Sequence, residues 1–118
     1  MKNNADIKLR FREEDKIYKW IDFYMVLNKF IASNEFLGLG EDKQIGYFFI
    51  KFEFDEEKDR NKIENKLLHY LWFDVQESSF KSETKLFAKD ITDFGDLFSK
   101  YRKNKQIFSD TFFELLNK

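Results

Sequence analysis

A mainly α fold, a small helical domain with one short extended or β element, is what three patterns in this chain predict. Ile17, Trp20, Ile21, Tyr24, Leu27 and Ile31 recur three or four residues apart, so they line one face of a helix over about residues 14–33. Ile63, Leu67, Tyr70, Leu71 and Val75 repeat that spacing and predict a second long helix over about residues 57–76. Between them Phe48, Ile50, Phe52 and Phe54 alternate with Phe49, Lys51, Glu53 and Asp55, the period-two signature of a half-buried strand or extended segment.

The remaining elements follow in order. Residues 1–16 are polar and read as an N-terminal connector, leaving residues 17–118 as the helical domain. Asn34, Gly38 and Gly40 stop the first helix by offering positive-φ positions. Asp55, Glu56 and Glu57 form the acidic first turn of the second helix, where its dipole favours them. The polar segment "QESSFKSET" is a loop. Thr92 is the expected N-cap of a short helix with Phe94, Leu97, Phe98 and Tyr101 on its apolar face, and Ser109 caps a last one bearing Phe112, Phe113, Leu115 and Leu116. The long helices are expected to pack through Trp20, Tyr24, Leu67 and Leu71.

A length of 118 residues fits one domain, and sixteen Phe supply its core while a 36% charged share solvates it. The net charge of −1 comes from interleaved lysines and acids, so no basic patch for nucleic acid stands out and direct binding to it is disfavoured. Without cysteine there is no thiolate nucleophile, disulfide or thiolate metal site. His69, the sole histidine, lies in a helical pattern and reads as structural. No apolar stretch reaches membrane length, and the cytoplasm is the expected location.

"GLGEDKQIGYFFIKFEF" sets two glycines and a charged turn before a run of aromatics. No glycine fits G-x-x-x-x-G-K-[ST], the spacing that curls backbone N–H groups around phosphates. "IKFEFDEE" ends like a magnesium-holding strand, but Lys51 and Glu53 would not suit the doubly buried strand that motif needs. No catalytic residue and no metal ligand can be picked from twenty-two acids that nothing gathers into a pocket.

The stretch from "WIDFYMVLNKFIASNEFLGLGEDKQIGYFFIKFEF" through "NKIENKLLHYLWFDV" to "DITDFGDLFSKY" resembles the C-terminal helical lid of McrB-type AAA+ NTPases, the motors of modification-dependent restriction systems that serve in phage defence. The order agrees over about residues 17–108: a helix with an Asn near its end, a "DKQIG" turn entering "FFI", a helix reading "NKLLHYLW.DV", and a short "F.DLF" helix. Many family members carry Pro after the "QIG" glycine, where this chain has Tyr47. "LRFREED", with Arg10 and Arg12, is similar to the segment joining the family's α/β core to its lid. The family's phosphate loop, magnesium strand, sensor asparagine and arginine finger precede this region and are not in the chain. The resemblance therefore implies a lid that contributes to nucleotide-dependent ring assembly and is not an enzyme by itself. It implies no cofactor for the isolated chain, and GTP or ATP with magnesium in an intact motor. Its implied partners are AAA+ subunits in a ring and a nuclease subunit.

The resemblance also turns residues 42–46 toward the nucleotide, which makes Lys43 a candidate phosphate or base contact, with Gln44 and Gly46 beside it. The plainer reading of the same residues is a capped turn with a solvated Lys43. A rival function is a free-standing adaptor or inhibitor that docks on such a motor through exposed aromatics. A small DNA-binding adaptor fits the dispersed charge least.

Overall fold

The computed structural model describes residues 7–11 and 17–118. The chain enters through β1 (Lys8–Leu9), which pairs antiparallel with β2 (Tyr18–Lys19) in the register Lys8 to Lys19 and Leu9 to Tyr18. β2 runs directly into α1 (Trp20–Ala32), and the Trp20 amide donates to the Ile7 carbonyl at 2.9 Å. The domain is mainly helical with this small ribbon, the class expected, but the β element lies in a different place. Residues 47–54, expected as strand or extended chain, form no strand: 47–50 turn and bend, 51–53 are irregular and 54 bends again. Ile50 and Phe52 do point into the core, whereas Phe48, expected beside them, is 76% exposed.

α1 begins later than its apolar spacing suggested. Ile17 lies in the extended approach and is 47% exposed, while Trp20, Phe23, Leu27, Phe30 and Ile31 carry the buried face. Ser33 ends the helix in an extended conformation. The chain then doubles back so that Leu37, Gly38 and Leu39 amides donate to the carbonyls of Phe30, Ser33 and Ile31, satisfying the helix's terminal acceptors. Gly38 (φ 62) and Gly40 (φ 84) take the left-handed backbone this return requires. Asn34 has no positive φ; among the described non-glycine residues only Phe54 and Asn104 do.

Asp55 caps α2 (Glu56–Lys62) by accepting from the Lys58 amide at 3.0 Å. The helix continues as two wider π windings, Ile63–Leu68 and Leu71–Gln76, to make one rod over residues 56–78. The cause is visible in the spacing. Ile63, Leu67, Leu71, Val75 and Ser79 are all buried and stand four residues apart. Four residues overshoot a 3.6-residue turn by about 40°, so an uninterrupted α-helix would carry such a stripe off the core, and alternating the wider i→i+5 windings with α turns keeps it in line.

α3 (Phe94–Arg102) is capped by Asp93, one residue beyond the expected Thr92. Asp93 accepts from the Asp96 amide at 2.7 Å, and Asp96 in turn accepts from the Thr92 amide at 3.0 Å. Lys100 joins at 3.1 Å, and these donors hold the Asp96 carboxyl below the usual range. α4 (Asp110–Leu116) is capped by Ser109 as expected. Residues 86–88, ahead of α3, pair with residues 107–109, between α3 and α4, around an isolated Phe87–Phe108 bridge.

The core is built of rings. Phe11, Phe23, Phe30, Phe108 and Phe112 form a continuous set with neighbouring centroids 4.7 to 5.9 Å apart, in the stacked and edge-on arrangements aromatic quadrupoles favour. α1 thus closes on α4 through Phe23 and Phe30 against Phe112. Trp20, Leu67 and Leu71 are buried and Tyr24 half-buried, but the Trp20 ring meets Phe23, Tyr24 and Phe52, so the irregular segment lies along α1. Leu9 and Phe11, within the segment read as connector, are part of this core; Arg12 lies outside the described residues.

Candidate functional site

The turn singled out by the sequence is a 3₁₀ turn, Glu41–Lys43, followed by Gln44, Ile45 and Gly46. Short-range bonds close it at both ends, the Gln44 amide donating to the Glu41 carbonyl at 3.1 Å and the Phe49 amide to the Gly46 carbonyl at 3.0 Å. The rest of its geometry is imposed by side chains from the two long helices.

From α1, Asn28 pairs with Ile45 as a backbone strand would. Its Nδ2 donates to the Ile45 carbonyl and its Oδ1 accepts from the Ile45 amide, both at 2.7 Å. Gln44 returns the bond, donating through Nε2 to the Asn28 carbonyl at 3.1 Å, and Trp20 Nε1 donates to the Tyr47 carbonyl at 2.9 Å. From the α2 rod, the Tyr70 hydroxyl donates to the Lys43 carbonyl at 2.8 Å, and its ring packs on Phe49 with centroids 5.4 Å apart. Burial, then the nearby Asp74 and Asp42 carboxylates, push the Tyr70 phenol up, so the hydroxyl stays a donor at neutral pH.

These contacts separate the three candidates. Gln44 is engaged, its amide tied to α1. Lys43 is half-buried along its stem, and its ammonium makes no ion pair with a described residue. Gly46 is exposed, and a Cβ added there would meet nothing within 4 Å. Next to them Phe48 stands in solvent, edge-on to Tyr47 at 4.8 Å, which in turn lies edge-on to Tyr24 at 5.6 Å. The turn offers one cation, an exposed glycine and an exposed ring, which is equipment for recognition and not for bond-making.

Asn28 and Tyr70 were not picked out as site residues from sequence. Asn28 did carry a signal, since an amide inside an apolar helix needs a partner; Tyr70 was hidden on a helical stripe that explained it as core. His69 is exposed, its ring 4.6 Å from Phe73 and 5.6 Å from Phe94, which suits a packing role. Among the described residues no group of three or more His, Cys, Asp or Glu could hold a metal ion, and no helix is long and apolar enough to cross a membrane.

A second polar cluster joins α2 to α3 and was not foreseen. Glu64, its side chain 1% exposed, accepts two bonds from Arg102, at 2.8 Å from Nε and 3.1 Å from Nη2. Arg60 closes the end of α3 by donating to the carbonyls of Tyr101 and Arg102 at 3.2 Å and to Asn104 Oδ1 at 2.9 Å. Both arginines also lie over rings, Arg60 on Tyr101 and Arg102 on Phe98.

No protein-family description, curated protein or solved structure matches this chain.

Proposed function

We propose that the chain is a lid-like domain of a McrB-type AAA+ restriction NTPase, contributing to nucleotide-dependent assembly of a ring and not hydrolytic alone. The observation that carries this reading is the double anchoring of the "DKQIG" turn. The helix Asn and the turn that occur together in the resemblance are bonded to each other, Asn28 with Ile45 and Gln44. That explains their joint presence as a device for presenting Lys43 and Gly46 on a fixed backbone. In the ring, Lys43 contacts the phosphates or base of GTP or ATP bound with magnesium by a neighbouring α/β core. The partners are such motor subunits and a nuclease subunit, and the setting is the cytoplasm.

Two measurements test this. The chain alone, incubated with magnesium and GTP or ATP, should release no phosphate above buffer background; turnover that scaled with its concentration would sink the lid reading. In a full-length motor of the family, Lys→Ala at the position matching Lys43 should weaken nucleotide binding about ten- to a hundredfold, the value of one charge-assisted hydrogen bond, without lowering the melting temperature. Unchanged affinity would remove Lys43 from the site.

The adaptor reading rests on a different observation, the exposed rings. Phe48 and Phe80 are 76% and 70% exposed, and Phe73, 41% exposed, continues through Phe94 at 5.2 Å to Phe98 at 6.3 Å. If these rings dock on a motor, Phe73→Ser should abolish co-elution with that motor while Lys43→Ala leaves it intact, and the reverse pattern would exclude it.

A further inference from the structure

The turn is held from both sides. Asn28 and Trp20 fix Ile45 and Tyr47 to α1, and the Tyr70 hydroxyl ties the Lys43 carbonyl to the rod. Tyr70 occupies a particular place in the rod: the α-wound pair His69 and Tyr70 separates the π windings Ile63–Leu68 and Leu71–Gln76. A π winding differs from an α winding by one residue of register in each hydrogen bond, so a stretch that contains it has two discrete ladders available. Coupling between distant parts of a protein needs an element of that kind.

We propose that Tyr70 is a positioning residue that couples the Lys43 turn to the winding of the α2 rod, with Asn28 as the fixed point on α1. The buried stripe at four-residue spacing falls between the α and π periods, so both ladders keep it near the core, and the Tyr70–Lys43 bond holds the register at the joint between the two windings. A load on the turn that draws the Lys43 carbonyl away releases residues 71–76, and a change of register there moves the Lys43 carbonyl. The use of this coupling, transmitting nucleotide occupancy from the turn into the rod, rests on the lid reading; the coupling itself rests only on the contacts above.

Amide hydrogen exchange on the ligand-free chain, read residue by residue in wild type, Tyr70→Phe, Asn28→Ala and the double variant, tests it. Tyr70→Phe keeps the ring on Phe49 and removes only the donor. It should speed exchange at Gln44, Ile45 and residues 71–76 about three- to tenfold, the value of one hydrogen bond, while α4 stays within about twofold. The decisive comparison is Asn28→Ala, a change on α1. It should speed exchange in residues 71–76 when Tyr70 is present and have no further effect there in the Tyr70→Phe background, because the path runs through the hydroxyl. If Asn28→Ala leaves residues 71–76 unchanged in the wild-type background, or speeds them equally in both, the coupling does not exist. Because no nucleotide is present, that failure leaves the lid reading standing, whereas loss of the Lys43 effect on nucleotide affinity would remove the reading and leave the coupling.

Discussion

The turn after α1 and the junction between α2 and α3 are both held by polar side chains, but by opposite means. The turn uses neutral groups: an amide, an indole and a phenol bond to the backbone of a single 3₁₀ turn and the irregular residues after it. The junction uses charge, with the buried Glu64 carboxylate gripped by Arg102 and the end of α3 closed by Arg60. Neutral bonds to a backbone fix the position of a loop at little desolvation cost. A buried carboxylate is costly to place and still costlier to strand, so it makes the junction intolerant of losing its partner. The junction holds two helices in one arrangement, and the turn presents a surface.

Both rest on the ring core, and the largest expected effect tests that foundation. Phe112 is fully buried among Phe23, Phe30 and Phe108, so Phe112→Ala should cost about 3 to 5 kcal/mol in a urea titration. A smaller loss would mean that α1 and α4 do not share this core.

The comparison itself sharpens with three smaller changes. At the junction, Arg102→Ala strands Glu64 in the interior, whereas Glu64→Gln leaves Arg102 free to turn to water. The first should lower the urea midpoint more than the second, and the opposite order would show that Glu64 is not held as a buried charge. At the turn, Asn28→Ala should cost about 1 to 3 kcal/mol, since it removes two bonds from the Ile45 backbone. Its effect on exchange should be larger in the turn and the rod than in α3 and α4.

Alkaline titration separates the regions again. Burial pushes the Tyr101 phenol far above its ordinary value of 10.0, against the Arg60 guanidinium that pulls it down, and Glu64 adds to the rise. A raised phenol contributes stability that is fully present below that ordinary value and is lost as pH climbs toward the folded one. The urea midpoint should therefore fall as pH passes 10.0, and Tyr101→Phe should flatten the fall more than Tyr70→Phe does. The smallest effect belongs to Lys43, whose replacement by Ala should leave the isolated fold within about 0.5 kcal/mol of wild type.

The helices were readable wherever burial follows a period. The spacing from Trp20 to Ile31 and from Ile63 to Val75 encodes a face, and Ser109 announces a cap through chemistry confined to three or four residues, whereas Asp55, expected in the first turn of its helix, is the cap itself. The turn's lock was not readable in the same way, because Asn28 and Ile45 meet only after the chain reverses at Gly38 and Gly40. Residues 48–54 show the reverse failure. Their alternation is real, yet Phe54 takes φ 61 and Phe48 turns to solvent, because anchoring to Trp20 above and Asp59 below overrides the local period. Asp59 accepts from the Glu53 amide at 2.7 Å, a contact that leaves no trace in spacing. Of the candidate site, the turn with Lys43 and Gln44 was visible in the sequence, while the pairing of Asn28 with Ile45 and of Tyr70 with Lys43 was not.

The central claim is that this domain, with Leu9 and Phe11 completing its core, acts as a lid, and a transplant tests it most directly. Grafted in place of the lid on a McrB-type α/β core, the domain should allow GTP- or ATP-dependent assembly of a ring, seen as a nucleotide-dependent rise in mass by light scattering. The same graft carrying Asn28→Ala should need higher nucleotide concentrations for that rise. A chimera that folds, keeps its core's phosphate loop and stays at the mass of a single subunit at every nucleotide concentration would contradict the claim.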